Sequence, residues 1–218
     1  MKPIKSTTVI HVQTEMLQSP MPTSADAWGN EVNDIWHWVQ ENHRNNALLW
    51  DEEDLARRRM ASFEAIAMNK RAIDGYNQAR NDAIERMDEL LLLTLGLITP
   101  DSAQSANPTS TVPASAWLSS ETAGSMIDRL SILSLKIRAM TAQTQRTDVD
   151  ATHRSDCQTR LGRLETQRLD LGNCLDHLLQ AAKDGKAHFK VYRQFKMYND
   201  PRFNPALVSE QRQTPAPT

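Results

Sequence analysis

The stretch GSMIDRLSILSLKIRAM, Gly124–Met140, decides the fold. Met126, Leu130, Leu133, Ile137 and Met140 step by 4, 3, 4 and 3, one continuous apolar seam of an α-helix. Ile127, Ile132 and Leu135 widen the seam, so little of this helix is left to face water. Yet it carries Asp128, Arg129 and Lys136. Ser125-x-x-Asp128 ahead of an apolar run fits a capping box, with Ser125 as N-cap and Asp128 at N3. That reading leaves both bases, seven residues apart on one side, unexplained. Lysine can snorkel to water along its stem. A base held inside a bundle needs an acidic partner.

Residues on either side supply further helices. Glu31 to Arg59 contains no proline or glycine and has helical spacing. A second helix runs from about Ser62 to Leu97, with Gly75 costing it about 1 kcal/mol relative to alanine. The opening stretch is the third. A fourth runs from about Asp148 to Ala182 and stops near Gly185, a C-cap glycine. HFKVYRQFKMY follows as a shorter aromatic and basic helix: Phe189, Tyr192, Phe195 and Tyr198 recur every three residues, with Lys186, Lys190, Arg193 and Lys196 offset from them. Asn199-Asp200-Pro201 turns the chain. Residues 1–30 read as a loose arm, 99–120 as a Pro- and Ser-rich surface loop, and 206–218 as a disordered tail. No period-2 strand pattern stands out. The expected fold is all-α, an antiparallel bundle of about four long helices plus the short C-terminal helix, in one domain over 31–205.

Composition excludes several classes. The 218 residues are 24% charged and 39% hydrophobic, with a formal charge of −2. There is no global basic field to draw in nucleic acid. No run approaches the roughly 18 apolar residues of a spanning helix. Residues 1–30 lack the apolar core of a secretory signal, so a cytoplasmic location is expected. Cys157 and Cys174 on one helix would lie roughly 25 Å apart, too far for a bridge. The six histidines form no ligand pattern, and His43 reads as a hydrogen-bonded core residue. In the fourth helix Cys157, Leu161, Leu164, Leu171, Leu175 and Leu178 form a heptad seam, interrupted by Arg168, that serves as core or as a homo-oligomer contact.

Polar residues on inner faces are the functional signal. In the first long helix Val32, Ile35, Val39, His43, Asn46, Trp50, Glu53 or Asp54, and Arg57 lie on one stripe that turns polar without changing face. In the second, Ile73, Asn77, Arg80, Ile84, Met87 and Leu91 form the seam, flanked by Asp74, Asn81, Glu85 and Asp88. Solvated faces with i,i+4 pairs, such as Lys70 with Asp74, account for any single stripe. Three coinciding stripes point instead to a buried, mutually satisfied polar cluster. Glu53, Asp54, Arg57, Asp74, Asn77, Arg80, Asp128, Arg129 and Lys136 are expected to face one cleft.

The segments HRNNALLWDEEDLAR (43–57), KRAIDGYNQARNDAIERMD (70–88), TAGSMIDRLSILSLKIRAM (122–140) and RQFKMYNDPRFNP (193–205) resemble a bacterial family, domain of unknown function 4254. The resemblance covers roughly residues 30–205. It implies roles for Asn46, Trp50, Glu53, Asp54, Arg57, Asp74, Asn77, Arg80, Asn81, Asp82, Asp128, Arg129 and Lys136. It also implies a setting beside glycosyltransferases and lipopolysaccharide genes. Ala123 stands where the family pattern has Pro in a TPGS-like motif.

Three functions are in view. One is an accessory or ligand-binding protein of surface-glycan synthesis. Arg57, Arg80, Arg129 and Lys136 would hold a phosphate or carboxylate. Asn46, Asn77 and Asn81 would bond sugar hydroxyls, and Trp50 would stack on a sugar or base. Its partners would be a glycosyltransferase or a sugar-nucleotide ligand. The second is a Mg²⁺-dependent hydrolase or transferase, similar in outline to MazG-type pyrophosphohydrolases, using Glu53, Asp54, Glu85 and Asp88. The third is a structural scaffold. The basic face of 186–198 adds an expected contact with an anionic ligand or a membrane surface.

Overall fold

A computed structural model describes residues 4–22, 33–194, 200 and 202–213, with the side chains of 211–213 left aside. Val32, Phe195 to Asn199, Pro201 and the tail 214–218, each given a place by the spacing above, lie outside the described residues. The protein is all-α. Its helices are α1 (Ser6–Met16), α2 (Ile35–Ala56), α3 (Phe63–Thr94), α4 (Pro100–Ala103), α5 (Ala123–Thr144), α6 (Ala151–Lys183) and α7 (Pro205–Gln213). Two two-residue strands, β1 (Trp117–Leu118) and β2 (Ala187–His188), pair in parallel. The long helices start where the sequence offers a side-chain cap. Asp34, Ser62, Thr122 and Asp150 accept from the backbone N–H of Trp36, Ala65, Ser125 and His153.

Two helical hairpins build the bundle. Trp38 meets Arg86 near one end of the α2–α3 pair and Glu52 meets Asn69 near the other, so these helices run in opposite directions. α5 and α6, joined by residues 145–150, form the second hairpin. Asn42 with Asp128 and Asn46 with Ser131 show that α2 and α5 run the same way. The turns at 57–62 and 145–150 therefore share one end of the bundle. Val39, Met87, Leu92, Ile127, Leu130, Leu175 and Leu178 fill the core.

The start of α5 is the tightest contact. Gly124 N donates to Asp88 Oδ1 at 2.7 Å. A Cβ at Gly124 would lie 2.7 Å from the Ile84 carbonyl oxygen and 2.9 Å from that carboxylate, so only glycine permits this approach. Thr122, not Ser125, is the N-cap, which puts Ala123 at N1, a position that favours proline. The expected capping box is displaced by three residues, because the backbone is still extended at Thr122 and already helical at Ser125. Asp128 is thereby released from capping.

Three other expectations are corrected. The segment expected as a loose arm contains α1, which packs on α5 and α6. Ser6 donates from its backbone N–H and its hydroxyl to the Asp176 carboxylate at 2.8 and 2.7 Å, while Val9 and Gln13 are buried. The tail expected from 206 on is helical as far as Gln213.

The aromatic and basic stretch is extended, not helical, over 186–194. Gly185, at φ +68°, ends α6 with Lys186 N donating to Ala181 O and Gly185 N to Ala182 O. Ala187, Phe189 and Val191 are then buried, while Lys190 and Tyr192 are exposed. That is a period of two, which the three-residue spacing of the aromatics obscured. Residues 186–194 therefore present no basic helical face to a membrane.

Glycine substitutions test the close approach. Gly75 is in mid-helix, with no atom within 4 Å of an added Cβ. Gly75→Ala should stabilise the protein by about 0.5–1 kcal/mol. Gly124→Ala should destabilise it by about 1–3 kcal/mol, because the Ile84 carbonyl cannot give way without shifting α3. Urea midpoints moving in the same direction for both would refute the assignment.

Candidate functional site

Asp128 is the hub of a buried polar cluster where α2, α3 and α5 meet. Its Oδ1 accepts from Asn42 Nδ2 and Asn46 Nδ2, each at 2.9 Å. Arg80 Nε lies 3.9 Å from the same oxygen, close enough for attraction and too long for a hydrogen bond. Asn46 Nδ2 also reaches Ser131 Oγ at 3.0 Å. Ser131 Oγ is 2.8 Å from His43 Nδ1.

Burial, helped by the charge of Arg138, drives the His43 pKa down to about 4, with the Gln13 backbone opposing. His43 is thus a neutral, hydrogen-bonded core histidine. Gln13 of α1 extends the cluster, donating to Ile127 O at 3.2 Å and accepting from Ser134 Oγ at 3.4 Å.

Next to this cluster a cavity of about 310 Å³ is lined by Asn46, Leu49, Trp50, Glu53, Asp54, Arg57, Arg80, Ile132 and Leu135. One α2 stripe, Asn46-Trp50-Glu53-Arg57, forms a wall because residues three and four apart share a helix face. Arg80 of α3 completes the polar lining, and α5 contributes Ile132 and Leu135. Arg57 pairs with Glu53 at 2.8 Å at the open edge. The buried Arg80 Nε has no hydrogen-bond partner among the described residues. Trp50 also lines a second hollow of about 430 Å³, with Lys136, Ala139, Met140, Gln143, Arg160, Arg163 and Leu164.

The other expected residues lie elsewhere. Arg129 is exposed and pairs with Glu121, because one residue along α5 from Asp128 turns the side chain by about 100° to the outside. Asp74 pairs with Lys70 on the surface at 2.5 Å, and Asp82 accepts from Gln78 there at 2.6 Å. Asn77 and Asn81 are half-buried on α3 but do not line the cavity. Lys136 borders the second hollow rather than the first.

The four carboxylates suggested for a metal do not converge. Glu53 and Asp54 line the cavity. Glu85 accepts from Arg193 at 3.1 Å and from Gln194 N at 2.9 Å, and Asp88 holds Gly124. Among the described residues no three His, Cys, Asp or Glu side chains gather in a metal-binding group.

The sequence reading missed Asn42, Ser131 and Gln13 as members of the cluster. It also missed Glu89, buried on α3 and paired with both Arg86 and Arg193. Asn42 had a signal: it precedes His43 and lies four residues before Asn46 on α2.

Gln13 apart, the residues that build the cluster and the cavity fall within the stretch matched by one family. The family model described as a protein of unknown function (DUF4254) matches residues 36–191, and the chain belongs to that family. No curated protein and no solved structure matches it.

Two buried groups make a pH prediction. His43, with a folded pKa of about 4 against 6.5, takes up its proton more readily unfolded, so its contribution is lost as pH falls from about 6.5 to 4. Burial raises Asp88 to about 7 from 3.8, against the Thr122 and Gly124 hydrogen bonds, so its contribution is lost as pH rises through that window. The two slopes oppose each other. Asp88→Asn should leave a stability that rises from pH 4.5 to 6.5 more steeply than the parent's, and His43→Gln one that falls. Urea midpoints of parent and variants across this range check it. Identical pH profiles would show that neither group titrates as stated.

Proposed function

We propose that this DUF4254 protein binds a small anionic carbohydrate, a sugar phosphate or the phosphosugar end of a sugar nucleotide, in the Trp50–Arg80 cavity. We further propose that it acts as an accessory binding protein in surface-glycan synthesis. The observation that carries the binding reading is the lining itself. An indole face, two guanidinium groups, two carboxylates and an amide surround one space. Guanidinium groups suit phosphate, while carboxylate and amide oxygens accept from sugar hydroxyls. Trp50 offers the flat apolar surface on which a sugar ring or base stacks. About 310 Å³ is at the small end of the ligand-pocket range of roughly 300–1,000 Å³, which suits one sugar-phosphate unit. Trp50's second hollow leaves room alongside for the rest of a longer ligand.

The glycan setting rests on the family resemblance, and a glycosyltransferase is the partner to seek by co-purification. Calorimetry with a hexose 1-phosphate, a uridine diphosphate sugar, the free hexose and inorganic phosphate tests the binding. Phosphorylated sugars should bind at least tenfold more tightly than the free sugar. Trp50→Ala and Arg80→Ala should each weaken them at least tenfold, about 1.4 kcal/mol. Affinities unchanged in both variants, or no binding by the parent, would refute the reading.

A further inference from the structure

We propose that the turn between α2 and α3 is a docking tip for an anionic lipid surface. The turn reads LARRRMASF, Leu55–Phe63. Met60 is 97% exposed and Phe63 96%, with Leu55 and Met68 flanking them at 40% and 63%. Residue types that ordinarily go inside are here held out in water. Arg57, Arg58 and Arg59 directly precede Met60, and no acidic residue lies between Asp54 and Glu64. The whole chain carries −2, so this positive charge is a local feature.

Two of the arginines have local duties. Arg57 donates to Glu53 O at 2.5 Å and Arg58 Nε to Leu55 O at 2.8 Å, which satisfies carbonyls at the end of α2. Nothing of the kind accounts for Arg59, which has no ion pair or hydrogen bond among the described residues, or for the two apolar side chains beside it.

Shape and charge select the occupant. An aromatic side chain buries about 150–250 Å². A few such groups on a convex turn fall well short of the roughly 800 Å² per partner of a stable protein interface. A bilayer needs no matching surface: single apolar side chains enter among the headgroups while arginines attract anionic lipid. A second copy of this chain would bring the same three arginines against these, and like charges repel. The last turn of α2 also carries Glu53, Asp54 and Arg57, so a docked tip sets the edge of the cavity close to the headgroups. The proposal does not depend on what the cavity binds.

Vesicle flotation with the full chain tests it, using phosphatidylcholine vesicles with and without phosphatidylglycerol, at low and high salt. The parent should float with the anionic vesicles, at least tenfold less with the neutral ones, and less at high salt. Met60→Ser with Phe63→Ser, and separately Arg59→Glu, should each lower that partition at least tenfold without moving the melting temperature. Failure of the parent to float, or equal flotation by parent and both variants, overturns the proposal. So does a parent dimer that the Met60→Ser, Phe63→Ser variant turns into a monomer, which would make the turn a self-interface. Arg57 is untouched in both variants, and their affinity for a sugar phosphate should match the parent's. The tip and the cavity reading can therefore fail separately.

Discussion

A carboxyl group buried among three helices constrains this structure more than any apolar contact does. Asp128 sits where α2, α3 and α5 meet and accepts the amide protons of Asn42 and Asn46. Removing it would orphan the Asn42 amide in the interior, at a cost of about 1–3 kcal/mol for an unmet polar group, and leave Asn46 with Ser131 and Asn42. Such a node specifies register in a way that leucines do not. An apolar seam tolerates a slip of one turn, whereas a slip of α5 against α2 would part Asp128 from Asn46 and Ser131 from His43 at once. This explains why a helix with so much apolar surface keeps an acid in its second turn.

Asp88 imposes the second constraint. It grips the backbone of α5 at Gly124, where a missing Cβ lets the helix start lie directly on α3. The neighbouring carboxylates of α3 face the other way along the chain, to Arg193, which ties down the extended segment after α6 and also donates to Ala103 O at 2.9 Å. One face of α3 thus fastens the start of α5 and the C-terminal segment near one end of the bundle. The same helices leave the other end open around Trp50, and there the cavity forms.

The four long helices were legible because their apolar periodicity spans many turns and their starts carry side-chain caps. Shorter elements were not. α1 buries Ser6 and Gln13, polar residues whose partners, Asp176, Ile127 and Ser134, lie more than a hundred positions away. No local pattern can show that. The extended segment after Gly185 did carry its signal, in Ala187, Phe189 and Val191, but the aromatics drew the eye to a period of three. At the site, spacing along α2 grouped Asn46, Trp50, Glu53 and Arg57 on one face, and the cavity has them together. Asp74 and Arg129 show the limit of the method. Periodicity says which residues share a face, but the boundary between the buried and wet parts of that face is drawn by the neighbouring helix. Arg129 is adjacent in sequence to the one acid of α5, which is buried, and still lies outside.

Around Asp128 the amides of Asn42 and Asn46 and the hydroxyl of Ser131 find partners, as a structural network must in a low-dielectric interior. His43 Nε2 departs from that rule, and so does Arg80. Its Nε stops 3.9 Å short of Asp128 and meets no other acceptor among the described residues, although the guanidinium is largely enclosed. Under the proposed reading, a guanidinium beside an aromatic face and an open cavity suits an anionic ligand. The attraction to Asp128 holds the Arg80 guanidinium beside the cavity that it lines.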